Sequence, residues 1–210
     1  MSTLYVVATP IGNLEDITYR AVRVLGEVSA IAAEDTRTAK TLLQRYRIST
    51  PLVSYHDHSQ RQEIDLLLDK LRLGDMALIS EAGTPGINDP GYALINAALE
   101  EGHRVVPVPG PSAPITALSA SGLPTDAFYF GGYLPRKTRA RRQTLAELSR
   151  QTSTLIFLET PHRLQESLDD ILETLGDREL AVARELTKMH EEIFRGSVNE
   201  ARDHYRAHAP

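Results

Sequence analysis

Short unbroken apolar runs recur along the first half of this chain. They are "LYVVA" (4–8), "AIAA" (30–33), "LVSY" (52–55), "MALIS" (76–80) and "RVVPV" (104–108), and each reads as a buried strand. Between them lie longer stretches with a helical period. Ile17, Ala21, Val24, Leu25 and Val28 share one helical face, and "TAKTLLQRY" (38–46) and "RQEIDLLLDKL" (61–71) repeat the pattern. Two more helices are expected over 91–101 and 112–121. Strand and helix in strict alternation predict an α/β fold, with a mostly parallel sheet carrying helices on both faces.

The second half keeps the alternation in another style. "FYFGGYL" (128–134) and "TLIFLE" (154–159) are expected strands. A basic, then amphipathic helix is expected over 136–150, and another helix over 163–175. "LAVAREL" (180–186) and "EEIFRGSV" (191–198) read as adjacent strands, followed by one short helix. The break in pattern at "PGPSAPI" (109–115) separates two α/β domains, 1–112 and 113–210.

Three loops at strand ends carry unusual backbone: "TPIGNLED" after the first strand, "EAGTPGINDPG" after the fourth and "PGPSA" after the fifth. Glycine permits positive φ and close approach of backbone to a ligand, and proline fixes φ. One such loop is an ordinary turn. Three at the same edge of one sheet predict a ligand cleft, because open α/β sheets bind ligands outside the carboxyl ends of their strands. No G-x-G-x-x-G or P-loop motif is present. Loops rich in carbonyls and poor in basic residues suit a ligand that is not strongly anionic, such as an adenosine bearing a cationic sulfonium.

Composition narrows the class. The 210 residues are 41% apolar, enough for real cores, and the net charge of −5 leaves no global basic field. Cysteine is absent, which excludes disulfides and thiolate zinc sites. The opening "MSTLYVVATP" lacks a basic n-region, and no apolar stretch approaches the roughly 20 residues of a membrane span. A soluble cytoplasmic protein is expected, with no membrane partner.

"TPIGNLEDIT" (9–18), "AAEDTR" (32–37), "YHDH" (55–58), "SEAGTPGINDPGY" (80–92), "VPGPSA" (108–113), "LETPHR" (158–163) and "RELTKMHEE" (184–192) together carry a resemblance. In order and over nearly the whole chain, they resemble the ribosomal RNA small subunit methyltransferase I family of the tetrapyrrole methylase superfamily. The resemblance implies two α/β domains with S-adenosylmethionine in a cleft between them, and homodimers. It implies 2′-O-methylation of a cytidine in 16S rRNA, the 1402 position, within the small ribosomal subunit. Family members usually carry Asp at the place of Glu81 and Asn at the place of Ser59. They also continue beyond this point with a further strand, expected beside 180–186 or 191–198, and a helical tail.

Carried over residue by residue, the resemblance assigns the methionine and sulfonium end of the cofactor to Pro10, Glu81, Gly83 and Thr84, with Ser112 and Ala113 lining the same pocket. It assigns the adenine to Phe157, Glu159 and Ala183. Plain core packing is the competing role for Phe157. No metal is expected.

A ribose hydroxyl must lose its proton to attack a methyl group, so carboxylates and a lysine near the cleft are candidates. Glu34 and Asp35 stand at the end of the second strand. Asp35 also precedes a helix, where it would serve as N-cap. Lys188 is a candidate base if neutral, and otherwise a solvated turn residue. Arg37 would hold a phosphate or orient the carboxylate. His56 and His58 lack a third ligand at metal spacing, so RNA contact or a structural role is expected. Arg136, Lys137, Arg139, Arg141 and Arg142 fall within seven residues of an acidic chain. A charge run is commonly a solvated face; here phosphate binding is expected. A tetrapyrrole methylase and a non-enzymatic RNA-binding relative are the rival readings.

Overall fold

The computed structural model describes residues 1–55 and 61–208. The chain divides into two compact units, Met1–Ser112 and Ala113–Pro210.

The first unit holds strands β1 (Thr3–Val7), β2 (Ala30–Ala33), β3 (Leu52–Ser54), β4 (Met76–Ile79) and β5 (Arg104–Val108). They form one sheet in the order β3-β2-β4-β1-β5, with every pairing parallel. Helices α1 (Tyr19–Glu27), α2 (Thr36–Arg45), α3 (Arg61–Leu73) and α4 (Tyr92–Glu100) make the crossovers. All four residues of β2 and of β4 are buried. That explains their unbroken apolar runs, since a strand covered on both faces has no polar side. The side-chain alternation of a strand then divides the core in two. Val7, Ile31, Ala33, Ala77 and Ile79 meet Val24 and Leu25 of α1 and Leu43 of α2. Leu4, Ala32, Met76 and Leu78 meet Leu67 and Leu71 of α3 and Leu94 of α4. The expected helix over 17–28 is shorter, because the Thr18 hydroxyl accepts from Ala21 N and starts α1 at Tyr19.

In the second unit α5 (Ala113–Ser121) precedes β6 (Phe128–Tyr133), α6 (Thr138–Glu147), β7 (Thr154–Leu158), α7 (Pro161–Leu175), β8 (Glu179–Arg184), β9 (Glu192–Ser197) and α8 (Val198–Ala207). β6 and β7 pair in parallel, and β8 and β9 form an antiparallel hairpin. Among the described residues β7 and β8 each keep one edge outside any ladder. A groove of about 430 Å³ lies along both, lined by Leu155, Phe157, Leu180 and Ala181 among others. Leu168, Ala201 and Tyr205 form the core of the hairpin side with Leu180, Val182 and Phe194. A capping box starts α8: Ser197 accepts from Glu200 N, and the Glu200 carboxylate accepts from Ser197 N. Among the described residues no helix is long and apolar enough to cross a membrane.

A network of ion pairs ties α6 to α7. Arg141 Nε donates to Asp170 Oδ2 at 2.5 Å, with the two side chains 1% and 3% exposed. Arg142 Nε donates to the other oxygen of Asp170 at 2.6 Å. Breaking a buried pair strands the remaining charge, at a cost of about 3–5 kcal/mol. Asp170→Ala is therefore expected to lower the unfolding free energy in urea by about that amount. Glu173→Gln, at the exposed rim of the same network, is expected to cost under about 1 kcal/mol. Equal small losses would show that the buried pair does not hold α6.

Candidate active site at the carboxyl edge of the parallel sheet

β1 and β4 are neighbours in the sheet, yet their chains leave for opposite faces, toward α1 and toward α4. Such a divergence is a topological switch point, where doubly wound sheets hold their ligands. Here the two departing loops are bonded to one another. Thr9 N donates to Gly83 O at 2.8 Å and Gly83 N donates to Thr9 O at 3.0 Å. The Thr9 hydroxyl also donates to Ser80 O at 3.3 Å. The third loop joins through the Thr84 hydroxyl, which donates to Pro111 O at 3.3 Å, and Ala8 N, which donates to Val108 O at 3.2 Å. Gly83 has φ +88°, and a Cβ built there would lie 3.6 Å from Ile11 Cγ2 and 3.9 Å from Pro111 O. The requirement for glycine is thus the left-handed backbone.

A cavity of about 300 Å³ opens beside this junction, lined by Pro10 and Ile11, by Ser80 and Glu81, and by Thr38 and Leu42 of α2. The "EDTR" segment leads into α2, whose Thr38 and Leu42 line this cavity. Asp35 is the N-cap of that helix: its Oδ1 accepts from Arg37 N at 2.7 Å, and its Oδ2 accepts from an Arg37 Nη at 2.9 Å. The Arg37 side chain is 90% exposed and feels the charge of Glu81. Glu34 is half-buried beside it. The Arg37 guanidinium, then the Arg37 backbone N–H, hold the Asp35 carboxyl down to about 2. A general base is most effective with a pKa near the working pH, so Asp35 is built to anchor Arg37 and the helix more than to carry a proton.

Asp89, which sequence reasoning missed, behaves in the opposite way. Burial pushes its carboxyl up, the Glu81 charge adds to this, and the Ser80 hydroxyl opposes it. Its position in a loop crowded with glycine and proline gave no sign of that burial.

The remaining predicted residues divide clearly. Pro10, Glu81, Gly83, Thr84 and Ser112 belong to the three joined loops of the first unit. In the second unit Ala113, Phe157 and Ala183 line one pocket of about 150 Å³ with Ala117 and Leu155. The Glu159 carboxylate is engaged within its own unit. It accepts from the Ser167 hydroxyl at 2.5 Å and from Thr160 N at 2.8 Å, and pairs with Arg163 at 3.2 Å. Lys188 is half-exposed in a turn and paired with Glu185 at 3.1 Å, the solvated arrangement. His56 and His58 lie outside the described residues. Among the described residues no three His, Cys, Asp or Glu gather as metal ligands do.

The basic run requires a correction. Arg141 is buried against Asp170 and cannot reach a phosphate, and Arg142 is bound to Asp170 and Glu173. The cause is helical register. Arg141 and Arg142 stand four and three residues before the buried Leu145, so both lie toward its face of α6.

Residues 3–202 match the family of tetrapyrrole (corrin/porphyrin) methylases, and the chain belongs to that family. Within it, the chain is similar to proteins named ribosomal RNA small subunit methyltransferase I. The one from Halalkalibacterium halodurans is 54% identical over 95% of this chain and 69% of that protein. The one from Thermotoga maritima is 47% identical over 100% of this chain and 95% of that protein. Among solved structures, the cobalamin biosynthetic enzyme cobalt precorrin-4 methyltransferase shares the fold, with a TM-score of 0.74 at 18% identity over 98% of this chain and 89% of that one.

Asparagine caps a helix as well as aspartate does, which separates the two roles of Asp35. Asp35→Asn keeps the cap but loses the charge pairing with Arg37, so it is expected to lower the melting midpoint at pH 7 by less than Asp35→Ala, which lowers it by about 2–4 °C. Because the folded carboxyl is depressed to about 2 from 3.8, its contribution to stability is present above about pH 4. It is lost as pH falls toward about 2. A midpoint difference between wild type and Asp35→Asn that varies between pH 5 and 8 would contradict this assignment.

Proposed function

We propose that this chain methylates ribosomal RNA of the small subunit with S-adenosylmethionine, on the ribose 2′-oxygen of the cytidine at position 1402 of 16S rRNA. The observation that carries the reading is the joining of three loops at the switch point beside a cavity that reaches Thr38, the residue after Arg37. The names of relatives similar over nearly the whole chain support ribosomal RNA of the small subunit as the substrate.

The donor set fits the cofactor. The loops present backbone carbonyls and the exposed Glu81 carboxylate, a favourable surrounding for a sulfonium cation. Pro10, Glu81, Gly83, Thr84, Ser112 and Ala113 are the residues proposed for its methionine end, and Phe157, Glu159 and Ala183 those proposed for the adenine. When bound, S-adenosylmethionine supplies a methyl group made electrophilic by its positively charged sulfur.

The chain's own residues must then orient the ribose and accept its proton. Arg37, held by Asp35 and extended into solvent, would grip a phosphate of the RNA. Glu34, Asp35 and Lys188 remain the sequence-derived candidates for acid–base work. Asp35 is already committed to Arg37 and Lys188 to Glu185. We propose that the proton goes to Asp89, half-buried in the same loop as Gly83, with its carboxyl pushed up by burial. Excluding water from the site strengthens every such interaction.

The test is transfer of labelled methyl groups from S-adenosylmethionine to small ribosomal subunits, followed by mapping of the product. One labelled cytidine whose 3′ linkage resists alkaline cleavage is expected, since a methylated 2′-oxygen cannot attack the phosphate. Asp89→Asn is expected to lower kcat by about 10²-fold or more, as loss of a general base does, with cofactor affinity kept. Label on a base, or acceptance of a tetrapyrrole in place of RNA, would overturn the reading.

A further inference from the structure

Phe128, Tyr129 and Tyr133 of β6 are 43%, 42% and 53% exposed. They stand on a strand that, among the described residues, pairs with β7 alone. Exposed aromatic rings on a strand with an unpaired edge mark an interaction surface.

Two adjacent glycines shape this surface. A Cβ at Gly131 would stand 2.5 Å from the Phe157 ring and 3.0 Å from the Tyr129 ring, so bare backbone lies between two aromatic groups. Gly132 has φ +63° and falls in the register shift between Phe130 and Tyr133. A bulge of this kind re-aims the side chain that follows it.

The segment after Tyr133 is held firmly. An Arg163 Nη donates to Leu134 O at 2.6 Å and Pro135 O at 3.2 Å. An Arg141 Nη reaches Arg136 O at 3.5 Å. The buried arginine is therefore a support for the exposed ones. Arg136, Lys137 and Arg139 are all exposed, and among the described residues none of them has an acidic partner. Lys137 is the N-cap of α6 and makes no side-chain capping bond, so the first N–H groups of the helix add positive character.

We propose that β6 and the start of α6 form a platform for unpaired RNA, on which Tyr129 and Tyr133 stack bases while Arg136, Lys137 and Arg139 meet phosphates. The proposal rests on the rRNA reading and deepens it by naming the form of RNA received. Only an unpaired strand offers its base faces to aromatic rings, because a duplex keeps them stacked inside. A second copy of the chain is the weaker occupant. A two-fold interface sets a patch against itself, and here that would bring three unneutralised cations against three more.

The test is a titration of the full chain with a short labelled single-stranded RNA and with the matching duplex, at several salt concentrations. Tyr129→Ala with Tyr133→Ala is expected to weaken single-strand binding by about tenfold or more, leaving duplex binding and the salt slope unchanged. Tyr133→Phe keeps a stacking ring and is expected to bind like wild type. Replacing Arg136, Lys137 and Arg139 with Gln is expected to flatten the salt slope by about two units, at about 0.7 for each phosphate released from a single strand. Unchanged single-strand affinity in the double Tyr variant would overturn the proposal. So would an equal loss for duplex, or a changed sedimentation coefficient of the RNA-free protein. A chain that binds as described but transfers no methyl group to subunits would remove the proposed reaction and leave the platform standing.

Discussion

The pair of hydrogen bonds between Thr9 and Gly83 is the constraint on which the site depends. A parallel sheet sends its strand-end loops apart, since each crossover must climb onto one face or the other. At β1 and β4 the loops diverge, and nothing in the sheet ladder would keep them together. The reciprocal backbone bonds do so, and Gly83 makes them possible by taking a φ of +88°. Thr84 then draws in the third loop through Pro111. The cavity, the position of Glu81 and its approach to Arg37 all follow from this junction.

The second unit is organised around a different contact. Asp170 of α7 receives Arg141 and Arg142 of α6, which fixes the helix that carries the exposed cations. Arg163 ties down the segment between β6 and α6 from the same side. A buried charge pair contributes little net stability beside an apolar core, but removing one partner leaves the other charge buried and unpaired. Here the pairing divides one basic run into a buried Arg141, a half-exposed Arg142 bound to the same carboxylate, and three solvent-facing charges.

Much of this was legible in the sequence, for physical reasons that particular residues make plain. β2 and β4 announced themselves because strands buried on both faces are apolar at every position. The three loops were legible because glycine and proline are conformational statements in themselves. The capping role of Asp35 was one of two weighed readings, and the structure bears out the cap. The burial of Arg141 was missed although a signal existed, since Leu145 lies one turn further along the same face. Its partner Asp170 was out of reach, because 29 residues separate them in sequence and only the packing of α6 on α7 brings them together. The raised carboxyl of Asp89 was equally hidden, because loop composition says nothing about which side chain turns inward.

Calorimetric titration of S-adenosylmethionine into Gly83→Val, set beside wild type, tests the central claim most directly. The substitution places a β-branched residue where φ is +88°, and so disturbs the junction of the loops at its source. The account predicts an affinity reduced by about 5- to 30-fold, as a strain of roughly 1–2 kcal/mol would give, in a protein whose thermal transition remains cooperative. Unchanged affinity would contradict it and would place the cofactor away from the Thr9–Gly83 junction.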